Sequence, residues 1–145
     1  MAGLLHEAGG ENFREARSMQ ITTPVTEALN RYLDLSSLEL KVTAQNMANV
    51  DTPGYRTEGF DFAAEMSHSL DRMNSSESGS MSAASLPPVH PGAVEGLLER
   101  PDGNNVSMDR EGMKMAEAQL QFRSGVELLK HVFTRELDAI HEDQK

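Results

Sequence analysis

From Val25 onward apolar side chains return at helical intervals. Val25, Leu29, Leu33, Leu40, Ala44 and Met47 recur at steps of three, four or seven residues, and Ala28, Leu35, Leu38 and Val42 form an adjoining stripe. The spacing predicts a helix over 23–50 whose apolar face is too wide for one neighbouring helix to cover. Thr23 can cap its first free N–H groups, Pro24 loses no bond at the first helical position, and Glu27 suits the positive end of the dipole. A second periodic run, Met115, Phe122, Val126, Leu129, Phe133, Leu137 and Ile140, keeps near-heptad spacing and predicts a helix over 107–142. Leu120, Leu128 and Val132 widen that seam, Ser107 stands as its cap, and Asp109 and Glu111 fall in its first turn. At 1.5 Å per residue the helices are about 40 and 50 Å long.

Between them the pattern breaks. Asn46-Met47-Ala48-Asn49-Val50-Asp51-Thr52-Pro53-Gly54-Tyr55 joins Asn, which tolerates a left-handed helix terminus, to Pro-Gly, which fits the centre of a type II turn. Residues 51–66 are therefore a turn and anchor, with Tyr55, Phe60 and Phe62 as the packing aromatics. Residues 67–106 read as a flexible linker: six Ser between Ser75 and Ser85, then Pro87-Pro88, Pro91-Gly92 and Glu99-Arg100-Pro101, bury too little apolar area to offset backbone ordering. Val94, Leu97 and Leu98 suggest a short strand or helical turn there. Residues 1–22, polar and with Gly9-Gly10, are a flexible extension, and Met19 stands as an alternative start.

The resulting fold class is mainly α. Long N- and C-terminal helices pair as a coiled-coil-like bundle, and the middle is irregular or disordered. Eighteen of the thirty Leu, Ile, Val and Phe residues lie in Pro24–Val50 and Val106–Ile140, so the core comes from the two ends. Such long helices with little else to pack on them are expected to pair with each other and with further copies.

Thirteen basic against 23 acidic residues give a formal charge of −10, and the basic ones are scattered, which argues against nucleic acid or an anionic membrane as partner. No apolar run is long enough to span a bilayer, and the first residues lack the basic and apolar regions of a secretory signal. The absence of Cys removes disulfides and thiolate chemistry. His6, His68, His90, His131 and His141 lack metal-ligand spacing. The acidic groups Glu7, Glu11, Glu15 and Glu136, Asp138, Glu142 read as solvated charge, and no phosphate loop or nucleophile motif occurs. No catalytic residue, cofactor, metal or small-molecule substrate is expected. Met108, Met113 and Met115 read as core or interface filling.

The run Leu35–Arg56, with Asn46, Ala48, Asn49, Asp51, Thr52, Pro53, Gly54 and Tyr55, closely resembles the signature of flagellar rod and hook proteins. Gly59-Phe60-Asp61-Phe62, the stretch Asp102–Glu111 and Ala118-Gln119-Leu120-Gln121-Phe122 resemble the proximal, B-type rod subunits within that family. The resemblance spans about Val25 to Ile140. A longer N-terminal extension and Gly125 inside the last helix depart from it, and close approach of a neighbouring helix would account for the glycine. It implies a structural subunit exported by the flagellar type III apparatus and assembled in the periplasm at the base of the rod. Implied partners are other rod subunits, the rod-to-ring adaptor protein and the membrane ring. The implied assembly interface is Leu29, Leu33, Leu40, Met47, Phe122, Val126, Leu129, Phe133, Leu137 and Ile140. The alternatives are a C-type rod subunit, a helical export chaperone or binding module, and a small hydrolase, the last lacking a nucleophile with its base.

Overall fold

Thr23 begins the architecture. Its backbone is extended, its Oγ1 accepts the Thr26 N–H at 3.2 Å, and Pro24 follows as the first residue of helix α1, Pro24–Ala48. The computed structural model of the chain describes residues 23–75 and 86–142, so the extension over 1–22, Met19 and most of the Ser-rich run lie outside the described residues. After α1 come strand β1 (Glu58–Gly59), helix α2 (Phe62–Ser75), strand β2 (Gly92–Ala93) and helix α3 (Met108–Glu142). The two strands pair antiparallel, Glu58 with Ala93 and Gly59 with Gly92.

The fold is the mainly helical one expected, with α1 and α3 as its long pair. They run antiparallel: Asn46 meets Glu111 at one end, and Tyr32 and Leu33 meet Gly125 further along. With 25 and 35 residues, α3 outlasts α1 and, in this register, passes the start of α1 near residue 134. Leu35 and Val42 are the large apolar side chains that α1 buries, whereas Leu29, Leu33, Leu40 and Met47 are only half-buried. On α3 the buried line consists of Glu111, Ala118 and Gly125, seven residues apart. The heptad seam expected from Met115 onward instead flanks this line.

Beyond Glu111 the line is small, and Gly125 shows why. A Cβ there would stand 2.8 Å from Leu33 Cδ2 and 3.0 Å from Tyr32 Cδ1, so the missing side chain sets how closely the helices approach. Val at this position is expected to destabilise the chain by about 1–3 kcal/mol through overpacking, despite its avoidance of glycine's entropy cost. Urea unfolding checks the sign. An unchanged or raised midpoint would mean that the helices can move apart freely.

The middle segment departs from the linker expected over 67–106. α2 starts within the turn-and-anchor region and continues to Ser75, and β2 and Leu86 are also placed, the latter buried. Asp61 caps α2, its Oδ1 accepting from Ala64 N–H at 3.0 Å and its carbonyl from Glu65 N–H. Phe62 stands edge-on to Tyr32 of α1, ring centres 5.3 Å apart. Part of the wide apolar face of α1 is thus covered from within the chain by α2.

Candidate functional site

The motif that ends α1 folds against the turn that precedes α3, and asparagines join the two. Asn46 is 1 % exposed, and its amide is fully engaged. Its Nδ2 donates to Glu58 O at 2.8 Å and to Glu111 Oε2 at 2.9 Å; its Oδ1 accepts from Glu58 N–H at 3.0 Å and from the Tyr55 hydroxyl at 3.1 Å. An amide offers two donors and two acceptor lone pairs, so one side chain ties the end of α1, the motif tyrosine, β1 and the first turn of α3. Glu111, in the first turn of α3 as expected, is fully buried, held by Asn46 and by Arg110 Nε at 3.3 Å. A buried carboxylate persists only with such partners.

Asn104 does the same for the helix terminus. Its Nδ2 lies 2.9, 3.1 and 2.8 Å from the carbonyls of Asn49, Val50 and Thr52, and its Oδ1 accepts from Val106 N–H at 2.8 Å. Arg100 also donates to the Val50 carbonyl. The carbonyls of the cap and of the turn that follows it need such donors when another segment covers them. Asn49, the capping residue, is not left-handed as the sequence suggested: its φ is −104°, and its Nδ2 donates back to Gln45 O at 2.8 Å. Partners supplied by its own side chain and by the distant Asn104 make a left-handed cap unnecessary.

Thr52-Pro53-Gly54-Tyr55 closes as a turn, with Tyr55 N–H on Thr52 O at 3.2 Å and Gly54 at φ +73°. Gly54 N–H donates to Asp102 O at 2.8 Å, and Gly103, at φ +81°, sits against it, where an added Cβ would meet Gly54 Cα at 3.4 Å. Thr57, wholly buried, donates N–H to Asn105 Oδ1 at 2.7 Å and its hydroxyl to Asn105 O at 3.2 Å. Asp51, Thr52, Pro53 and Gly54 themselves remain exposed, and Ala48 with them. The junction therefore presents an exposed loop on a buried polar support that ties the end of α1 to the start of α3.

Gly54→Val is expected to cost about 1–3 kcal/mol, because a β-branched residue takes positive φ only with strain. Gly112→Val, where a Cβ meets open space, is the comparison for added bulk without positive φ. Thermal unfolding of the two variants checks it; equal losses would mean that the turn is not constrained.

Further along the α1–α3 seam, Glu39 faces Glu117 and Lys114. Burial, and then repulsion from Glu117, raise its carboxyl above the ordinary value, with Lys114 opposing. Its Oε2 is buried without a hydrogen-bond partner among the described residues. The folded chain thus holds this proton more tightly than the unfolded chain does. The associated stability is present below the unfolded pKa and is lost as pH rises through the raised folded value. Glu39→Gln is expected to raise the urea midpoint at neutral pH and to make little difference near pH 4, about where the unfolded carboxyl titrates.

The proposed interface residues fall in three places. Leu29, Leu33, Leu40, Met47, Val126 and Leu129 are half-buried along the α1–α3 pair. Phe122 is a third exposed beside it, and Phe133, Leu137 and Ile140 are about half exposed where α3 nears and passes the start of α1. Leu120, Leu128 and Met113 are also exposed, and no helix is long and apolar enough to cross a membrane among the described residues.

No family model matches the chain. Curated proteins do. The flagellar basal body rod protein FlgB of Salmonella typhimurium is 33% identical over 108 residues, 67% of this chain and 78% of that protein. FlgB of Escherichia coli is 31% identical over the same length and shares. FlgB of Borrelia hermsii is 29% identical over 127 residues, 79% of this chain and 94% of its own.

Proposed function

The chain belongs to the family of the flagellar basal body rod protein FlgB, and from that premise we propose that it is a structural subunit of the proximal rod, polymerising through its terminal helices and carrying torque from motor to hook. The observation that supports polymerisation most is the apolar surface left along α3: Phe133, Leu137 and Ile140 are each about half exposed on a helix that outruns its partner. Such a row on an isolated chain signals a surface that a neighbour covers. The buried Asn46–Glu111 junction supports the mechanical part, since a polar network with every group satisfied fixes one geometry of α1 against α3. A subunit that transmits torque needs that fixed geometry more than it needs a reactive centre, and the role is structural rather than enzymatic.

In this reading the chain reaches the periplasm through the flagellar type III export apparatus and meets other rod subunits, the rod-to-ring adaptor protein and the membrane ring. Electron microscopy of purified basal bodies labelled for this protein tests it. Label at the proximal rod is expected. Basal bodies that carry none, in cells that make the protein, would overturn the assignment.

A further inference from the structure

A cleft of about 250 Å³ opens between α1, α2 and the segment that follows Leu86. Arg31, Arg72, His68 and His90 border it with one carboxylate, Glu65, in a chain whose formal charge is −10. Arg31 is 8 % exposed. Its Nε donates to Ser69 Oγ at 3.0 Å and its Nη2 to Pro87 O at 3.4 Å; Nη1 makes no hydrogen bond, and the guanidinium no ion pair, among the described residues. Ser69 is itself buried and already donates to Glu65 O at 2.7 Å, so it accepts from Arg31 without supplying charge.

A buried guanidinium whose two hydrogen bonds go to neutral oxygens keeps N–H donors for an anion, and its planar fork suits a carboxylate or a phosphate. The cleft has room for one such group and is small for a larger organic ligand. We propose that it is an oxyanion site, filled in the assembled rod by a carboxylate from the end of α3 of a second copy of the chain. That end carries the exposed Asp138 beside the exposed Leu137 and Ile140, and lies past the start of its own α1, where a neighbour can meet it. Charge complementarity selects the carboxylates, and the exposed apolar residues add contact area outside the cleft. The second-copy occupant rests on the rod reading; the oxyanion chemistry of the cleft does not.

The test uses the full purified chain, titrated with a peptide of residues 134–145, with the same peptide carrying Gln and Asn for its acids, and with inorganic phosphate, read by the ring resonances of His68 and His90. The acidic peptide is expected to shift both. The neutral peptide and a His68→Gln/Arg72→Gln variant are each expected to weaken binding by about tenfold or more. Both substituted residues are exposed, and an unchanged amide spectrum verifies the fold. Equal binding of the two peptides, or no shift by either the acidic peptide or phosphate, overturns the site; phosphate binding without peptide binding overturns the second copy as its source. In cells the double variant is expected to enter basal bodies poorly. Entry at wild-type level would overturn the cleft's part in assembly and leave the rod reading intact, whereas peptide binding by a chain that never enters basal bodies would keep the cleft and sink the rod reading.

Discussion

Replacing Asn46 by Ala is expected to destabilise the chain by about 3 kcal/mol, more than any other truncation in the junction. Four bonds disappear together, to Glu58 N–H, Glu58 O, the Tyr55 hydroxyl and Glu111 Oε2. Each neutral bond is worth about 1 kcal/mol net, but the loss at Glu111 weighs more, because a wholly buried carboxylate keeps its desolvation cost while losing a donor. Arg110, at 3.3 Å from the other carboxylate oxygen, tempers the loss without removing it. Asn46→Asp separates charge from shape. It keeps the acceptor toward Tyr55 and Glu58 N–H yet sets a second carboxylate against Glu111, and two carboxylates at hydrogen-bond distance cannot both remain ionised. The Asp variant should therefore be the less stable of the two at neutral pH and recover in acid, where one proton is shared. Urea unfolding across pH reads both effects. A loss under about 1 kcal/mol for Asn46→Ala, or no acid recovery for Asn46→Asp, would remove the junction from its central place.

The importance of Asn46 was legible in the sequence only through the motif that contains it. The turn chemistry was readable residue by residue: Thr23-Pro24 starts a helix, and Pro53-Gly54 turns the chain with Gly54 at positive φ. What Asn46 binds was not readable, since Glu111 lies 65 residues away and looks like an ordinary first-turn acid. Asn104 and Asn105 were hidden in the same way, because a turn-forming string gives no sign that its side chains serve another segment's carbonyls. α2 did carry a local signal: Asp61 as cap, then Phe62, Met66, Ser69 or Leu70, and Met73 at helical spacing. The Ser-rich composition that follows outweighed it. Ala118 and Gly125 were missed because apolar periodicity weights large side chains, whereas close helix approach is set by small ones, and Glu111 because a charged residue counts as polar in that pattern.

In the rod reading the large residues of α3 meet a neighbour, which introducing charge among them would test. Asp at both Phe133 and Leu137 is expected to leave the isolated chain within about 0.5 kcal/mol of its original stability, because the two side chains are 48% and 56% exposed and lie near or past the start of α1. In a polymer the account changes. Covering a Phe and a Leu contributes about 1.5–3 kcal/mol each, and two carboxylates in their place would have to be desolvated against an apolar neighbour. Several kcal/mol lost at every repeated contact is enough to prevent incorporation, so swimming on soft agar should fail while the subunit is still made and exported. Arg135→Ala, an exposed change between the two sites that adds no charge to the apolar row, should swim nearly normally. Immunoblots of the secreted and basal-body fractions separate a block in assembly from a block in export. Normal motility of the double Asp variant at matched subunit levels would mean that the exposed end of α3 faces water in the rod, and that the helices meet their neighbours through some other face.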